Sequence, residues 1–287
     1  LLPCFYLPFI SDGVVRFDSG LNKSLSKVWN NSVKKNYPFL NYEIEKNKEN
    51  ILLKNLGLKK NQKFCLLHVR TPFFCDNIPD KSLRNAKIDT YVESIKYIIS
   101  QGYIVIRAGI YEENEKLENK INGYIDYGLS SYKSPENDCY LLSKCKFLMG
   151  TNSGLSVMGQ SFNKTWVYSN ANSPHMCLGL NSNDLCIFKK VFKENREIYF
   201  DEYFKPPLER ADMNHKVAKK FNLKFQDNTS TEILDLTKEY FSNLRKKSNS
   251  TVKIQQHCKS FLKEDIHFVW GCKGNYAASF LKKRQFR

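Results

Sequence analysis

Two periodicities alternate through the middle of the chain. Short apolar runs stand at 64–70 (FCLLHVR), 103–107 (YIVIR), 124–126 (YID), 146–149 (KFLM) and 165–168 (TWVY). Each is too short for a helix and is bounded by turn residues or charges, the pattern of strands buried on both faces. Between them, apolar residues recur three and four apart, as with Tyr91, Val92, Ile95, Ile98 and Ile99 in 89–100. That spacing predicts helices over 89–100 and 137–145, with a charged helix over 112–122. Strand and helix in strict alternation imply a parallel sheet with helices on both faces. The expected fold class is α/β, Rossmann-like.

The flanks are less regular. Pro3, Pro8, Gly13 and Gly20 break up residues 1–20, and helical patterns follow over 21–34 and 42–55, the second stopping near Gly57. Past 169 come a loop (171–184), a strand within 184–192, a stretch 202–210 interrupted by Pro206 and Pro207, a helix at 215–221 and a short strand at 223–225. Residues 229–247 carry Ile233, Leu236, Tyr240, Phe241 and Leu244 on one helical face. Helices near 252–263 and 275–284 are expected in the last segment. Three parts result: 1–60 irregular and helical, 61–250 Rossmann-like, and 251–287 a basic helical tail. The chain begins with Leu rather than Met, which reads as a fragment with upstream sequence out of view.

Composition narrows the partners. At 287 residues, 41% apolar and 14% aromatic, the chain can bury a core. The net charge of +16 invites a polyanion, but the excess is mostly Lys spread along the chain, so nucleic acid is disfavoured. Lys259, Lys263, Lys273, Lys282, Lys283, Arg284 and Arg287 would suit peripheral contact with an anionic membrane, although a solvated end is the plainer and better reading of them. Nine Cys without a CxxC pair fit buried thiols in a reducing compartment, hence a cytoplasmic protein at most peripheral to the inner membrane face. No apolar run has membrane length.

Ligands of open parallel sheets sit outside the carboxyl ends of the strands, so the polar residues there are the candidates. The first strand ends in His68 and Arg70, the second in Arg107 followed by Gly109, the third in Asp126 and Tyr127. The fourth runs through Thr151, Asn152, Ser153, Gly154 and Ser156 into a helix, whose first turn offers unpaired N–H groups and a positive dipole end to an anion. Arg84 lies in an intervening loop that also carries Asp76 and Asp80. Two guanidiniums and a helix N-terminus converging on one spot would hold a diphosphate. Each part also has a plainer reading: Arg in a surface ion pair, Ser153 or Thr151 as a helix cap, His68 as a core residue, the two Asp as solvated loop residues. No GxGxxG, GxxxxGK[ST] or Asp-x-Asp occurs, so a dinucleotide oxidoreductase, a P-loop and a metal held against a diphosphate are not indicated.

The order FCLLHVR, SLRNAKIDTYVESIKYIISQGYIVIRAG, IDY, CKFLMGTNSGLS resembles a bacterial glycosyltransferase family found with surface-polysaccharide genes. The closing VKIQQHCKSF and GNYAASFLKKRQF are similar to that family's C-terminal end. More distantly, the HxR at 68–70 followed by an Arg strand end and a Ser-rich turn resembles fucosyltransferases that use GDP-fucose, of the two-domain GT-B fold. The family has RMG where this chain has Arg107-Ala108-Gly109, and a longer N-terminal half. The resemblance implies a GT-B-like fold with an incomplete acceptor-side domain before residue 61. It implies a metal-independent transferase with no cofactor, a nucleoside-diphosphate sugar as donor and a glycan or glycolipid as acceptor. In it Arg70 would bind the diphosphate beside His68, and Ser153 and Ser156 would contact phosphate or nucleoside. Catalytic roles are expected among His68, Arg70 and Asp76, with Asp80 a further candidate base. A nucleotide-sugar epimerase or hydrolase, or a polyanion-binding module, are the alternatives.

Overall fold

The computed structural model describes residues 40–72, 82–209, 215–245, 252–263, 266–267 and 269–283. The first six strands are Phe64–His68 (β1), Ile104–Arg107 (β2), Tyr124–Ile125 (β3), Phe147–Gly150 (β4), Thr165–Ala171 (β5) and Leu185–Phe188 (β6). Lys190–Lys193 (β7), Arg196–Glu197 (β8) and Leu223–Gln226 (β9) form a separate antiparallel sheet in the order β8-β7-β9. Asn275–Tyr276 (β10) returns beside β6. The main sheet is parallel throughout, in the order β3-β2-β1-β4-β5-β6-β10.

The helices are Lys46–Asn55 (α1), Val92–Ser100 (α2), Pro135–Lys144 (α3), Gly154–Ser161 (α4), His215–Lys220 (α5), Ser230–Arg245 (α6), Val252–Ser260 (α7) and Ala278–Leu281 (α8). Register decides which side chains share a sheet face. Leu67 is level with Arg107 and Met149, and Met149 with Val167. His68 is level with Gly150, and Gly150 with Tyr168, so these occupy the other face. On the first face α6 packs Tyr240 at 4.6 Å from the Phe147 ring, and its Thr237 hydroxyl lies 3.9 Å from Met149 Sδ. Tyr97 of α2 meets Phe241 of α6 at 5.8 Å. On the second face Gly159 of α4 sits so close to Leu148 that a Cβ would lie 1.9 Å from its Cδ1. With helices on both faces, Cys65, Leu67, Val105, Ile106, Phe147 and Val167 are completely enclosed. This is why their runs are apolar at every position rather than at alternate ones.

The α/β class and the first five strands agree with the sequence pattern; other elements differ. The helix expected over 112–122 is only a 3-10 turn at Glu113–Glu115, closed by a capping box between Glu112 and Glu115. Leu117 and Ile121 alone reach the core there, too few for an apolar stripe. The strand within 184–192 divides at Lys189, where the chain leaves one sheet for the other. The strand at 223–225 is present as β9 but belongs to the antiparallel sheet. In place of a helix over 275–284 stand β10 and the short α8, because Tyr276 is drawn into the core with no exposure. Gln255 of α7 bonds the Tyr276 backbone twice, accepting its N–H at 3.1 Å and donating to its carbonyl at 2.5 Å. Residues of the expected basic tail thus complete the main sheet. The helix expected at 21–34, Asp76, Asp80, Arg284 and Arg287 lie outside the described residues. Among the described residues no helix is long and apolar enough to cross a membrane.

Candidate functional site

From β1 the chain builds outward through β2 and β3, then returns to the other side of β1 with β4, β5 and β6. The crossovers leave β1 and β4 in opposite directions, which opens a crevice between their carboxyl ends. The two ends are tied together. Thr151 donates its backbone N–H to the His68 carbonyl at 2.8 Å, and its Oγ1 accepts the Arg70 N–H at 2.8 Å. Thr151 is almost wholly buried, so the pairing is shielded from water. Gly150 turns the chain at φ 127°, and a Cβ there would lie 1.9 Å from the His68 carbonyl oxygen. Only glycine allows this approach.

α4 begins at the crevice. Ser153 Oγ accepts the N–H groups of Leu155 at 3.2 Å and Ser156 at 3.4 Å, while Ser156 Oγ accepts the Ser153 N–H at 2.9 Å and donates to the Ser153 carbonyl at 2.8 Å. This capping box engages both hydroxyls with the helix itself. What the turn offers an anion is therefore the exposed backbone at Gly154 and the dipole behind it, with Asn152 half-buried alongside.

His68 stands between the β2 and β4 ends. Its Nδ1 lies 3.1 Å from the Ala108 carbonyl, which can only accept, so Nδ1 carries the proton and Nε2 presents a lone pair. Nε2 is closed from solvent and has no partner. Burial lowers the imidazole to about 4, with the charges of Arg70 and Arg107 acting the same way and the Ala108 bond opposing. A neutral ring of such low basicity is better suited to accept a hydrogen bond than to remove a proton at neutral pH. Gly109, at φ 111°, makes room for it: a Cβ would lie 2.5 Å from Nδ1. Arg70 is 7% exposed, and its carbonyl accepts the Ala86 N–H at 3.0 Å. That bond anchors the turn Ser82–Arg84, on which Arg84 is exposed.

The structure does not bring Arg107 to this place. It is level with Leu67, not His68, and so leaves the sheet on the opposite face. Its Nη1 donates to the Glu115 carbonyl at 2.6 Å, its guanidinium carbon lies 3.6 Å from the Tyr111 ring centre, and Asp126 Oδ1 is 3.8 Å away. Asp126 also accepts the Tyr124 hydroxyl at 2.8 Å and the Tyr111 hydroxyl at 3.1 Å. Burial, reinforced by that carboxylate, pushes both phenols up. Tyr127 is fully buried and its hydroxyl pairs with the Ser134 backbone. Arg107 and Asp126 form a cluster with Tyr111 and Tyr124 at the β2–β3 edge, and Tyr127 is bonded apart from it to Ser134. The expected convergence of Arg70 and Arg107 is corrected by one residue of register. Of the expected set, His68, Arg70, Gly109, Thr151, Asn152, Ser153, Gly154 and Ser156 gather around the crevice, and Arg84 is tied to it.

Several polar residues at the same sheet edge carry no sequence motif. The Tyr91 and Ser169 hydroxyls are 2.7 Å apart, and Asn170 and Asn228 each donate a backbone N–H to the other's side-chain oxygen, at 2.6 and 2.8 Å. Lys189, 1% exposed, reaches the Asn85 carbonyl and Asp227. The one trace in sequence is a lysine pair interrupting LCIFKKVF. A cavity of about 490 Å³ lies elsewhere, beside the first residues of β6 and β10. Its Glu239 and Lys259 bond the Ala278, Ser279 and Lys273 backbone. Among the described residues no group of three or more His, Cys, Asp or Glu is placed to hold a metal ion.

A parallel sheet in this order, with a polar crevice at its reversal point, defines a doubly wound α/β protein. No family model and no curated protein matches the chain. Among solved structures it is similar to E. coli ADP-heptose LPS heptosyltransferase II, at 13% identity and TM-score 0.33, over 47% of this chain and 41% of that one. It is also similar to the dodecameric iron-containing heptosyltransferase TibC in complex with ADP-D-β-D-heptose, at 13% identity and TM-score 0.36, over 65% and 46%. The chain spans less than half the length of either. Likenesses this distant carry no weight for the site, which rests on the geometry above.

Proposed function

We propose that the chain is the donor-binding part of a GT-B-like, metal-independent glycosyltransferase that moves a sugar from a nucleoside-diphosphate sugar, such as GDP-fucose, to a hydroxyl of a glycan or glycolipid in surface-polysaccharide synthesis. The observation that supports it best is the bond from the Arg70 backbone N–H to Thr151 Oγ1, which ties the Arg70 end of β1 to the loop entering α4 across the strand-order reversal. In this reading the acceptor oxygen attacks the anomeric carbon while the bond from that carbon to the diphosphate oxygen breaks. The leaving diphosphate takes the electron pair, and Arg70 and the helix dipole stabilise the growing charge. Neutral His68, bonded through Nδ1 to the Ala108 carbonyl, holds the β1 and β2 ends together beside Arg70. The acceptor proton goes to a carboxylate, for which Asp76 and Asp80 are the candidates.

Product analysis with purified protein, a nucleotide sugar, a glycan or glycolipid acceptor and excess chelator tests this reading. Acceptor-dependent release of nucleoside diphosphate supports it. Donor turnover without acceptor would mean a hydrolase or epimerase instead.

A further inference from the structure

Lys189 is among the largest completely buried side chains, and a buried ammonium needs partners to offset its lost hydration. Its Nζ donates to the Asn85 carbonyl at 2.8 Å and to Asp227 Oδ1 at 2.6 Å. Burial lowers its pKa while Asp227 opposes the shift. These contacts join three separate elements: the end of β6, the turn that carries Arg84, and the link between β9 and α6.

The same turn is bound a second time, at the end of β1, where Ala86 donates its N–H to the Arg70 carbonyl at 3.0 Å. β1 and β6 are not neighbours; β4 and β5 lie between them. The Asn85 carbonyl and the Ala86 N–H belong to one peptide group, so that group is held from both sides, by Lys189 from the β6 end and by Arg70 from the β1 end. That peptide, with the turn leading into it, therefore sits at the carboxyl edge between the ends of β1 and β6, the edge at which the α4 N-terminus opens. Arg84, exposed on the turn, lies near enough to Tyr168 of β5 for its charge to oppose the upward push of burial on that phenol.

We propose that Lys189 is a positioning residue that clamps the 82–86 turn beside the crevice so that Arg84 meets the anionic group bound there. The proposal rests on the diphosphate-binding reading and adds a second guanidinium, reached from the turn, in the place that Arg107 does not fill. The clamp works through the chain: the ammonium fixes the carbonyl next to Arg84, and Arg84 does the contacting. Asp227, 45% exposed, keeps the ammonium charged and can be hydrated when the lysine is removed.

The test combines hydrogen exchange with calorimetric binding of inorganic pyrophosphate, on the full chain, for Lys189→Met, Arg84→Ala and the double variant. Asp227→Asn serves as a milder second probe of the clamp should Lys189→Met fail to fold. The expected result is amide exchange at 83–87 at least about tenfold faster in Lys189→Met, with β1 and β4 unchanged. Pyrophosphate affinity should fall about tenfold in either single variant, the weight of one charge-assisted contact, and no further in the double variant. Unchanged exchange overturns the clamp whatever the protein binds. Additive losses, or an Arg84→Ala that binds like wild type, overturn the role of Arg84. A wild-type protein that ignores pyrophosphate, together with faster exchange in Lys189→Met, overturns the diphosphate reading while supporting the clamp.

Discussion

Thr151 holds Arg70 by accepting its backbone N–H at 2.8 Å, so one hydroxyl joins the carboxyl ends of the two strands that flank the strand-order reversal. Removing that acceptor without changing the side chain's shape leaves a buried donor unpaired. Thr151→Val is expected to cost about 1–2 kcal/mol of stability, readable as a lower urea midpoint at unchanged slope. Anion affinity should weaken in the same variant, since Arg70 loses its fixed relation to α4.

His68 makes the fold sensitive to acid. Its folded-state pKa of about 4 lies below the ordinary 6.5, so its contribution is fully present above pH 6.5 and is lost as pH falls toward 4. The loss should approach about 3 kcal/mol over that window. Denaturant titrations between pH 7 and pH 4 on wild type and His68→Gln should show the steeper decline in wild type. Equal slopes would mean that the imidazole is hydrated or already charged.

The two glycines beside His68 should differ in their tolerance of a methyl group. In Gly150→Ala the added carbon meets the His68 carbonyl, which belongs to the β1–β4 ladder and cannot move. In Gly109→Ala it meets the imidazole, which can swing aside. Both positions have positive φ, so each substitution should cost about 1–3 kcal/mol from backbone strain alone. Gly150→Ala should lose distinctly more, by thermal melting or soluble yield, and Gly109→Ala should chiefly alter the His68 titration seen by NMR.

The two arginines expected at one site should separate cleanly. Arg107→Met opens the cluster with Tyr111, Glu115 and Asp126, which should cost about 3 kcal/mol of stability while the folded fraction keeps its anion affinity. Arg70→Ala should lose affinity and on the order of 3 kcal/mol of transition-state stabilisation in any transfer reaction. Melting curves with matched calorimetry distinguish the two patterns.

The contrast between these residues shows what could be read in the sequence. β1 to β5 were legible because strands covered on both faces must be apolar at each position, and the helix at Ser153 because its cap residues are a local signal. The direction in which Arg107 leaves the sheet was not legible. It depends on whether that residue is level with Leu67 or His68, a one-residue question settled only by strand pairing. β10 was hidden for a related reason: two residues joined to an existing edge carry no periodicity of their own. Lys189 looked like one more surface lysine among many, and its burial follows from the change of sheet at that position.

The central claim, a diphosphate held at the β1–β4 crevice, is tested most directly by thermal shift of the wild-type chain and Arg70→Ala with ADP-, GDP-, UDP-, CMP- and dTDP-sugars and the corresponding free nucleosides. A ligand at about a hundred times its dissociation constant adds roughly 2.7 kcal/mol, enough to raise the midpoint by several degrees. The expected result is such a rise with at least one diphosphate-linked sugar, none with its nucleoside, and a much smaller rise in Arg70→Ala. No rise with any diphosphate, or the same rise without Arg70, would contradict the account.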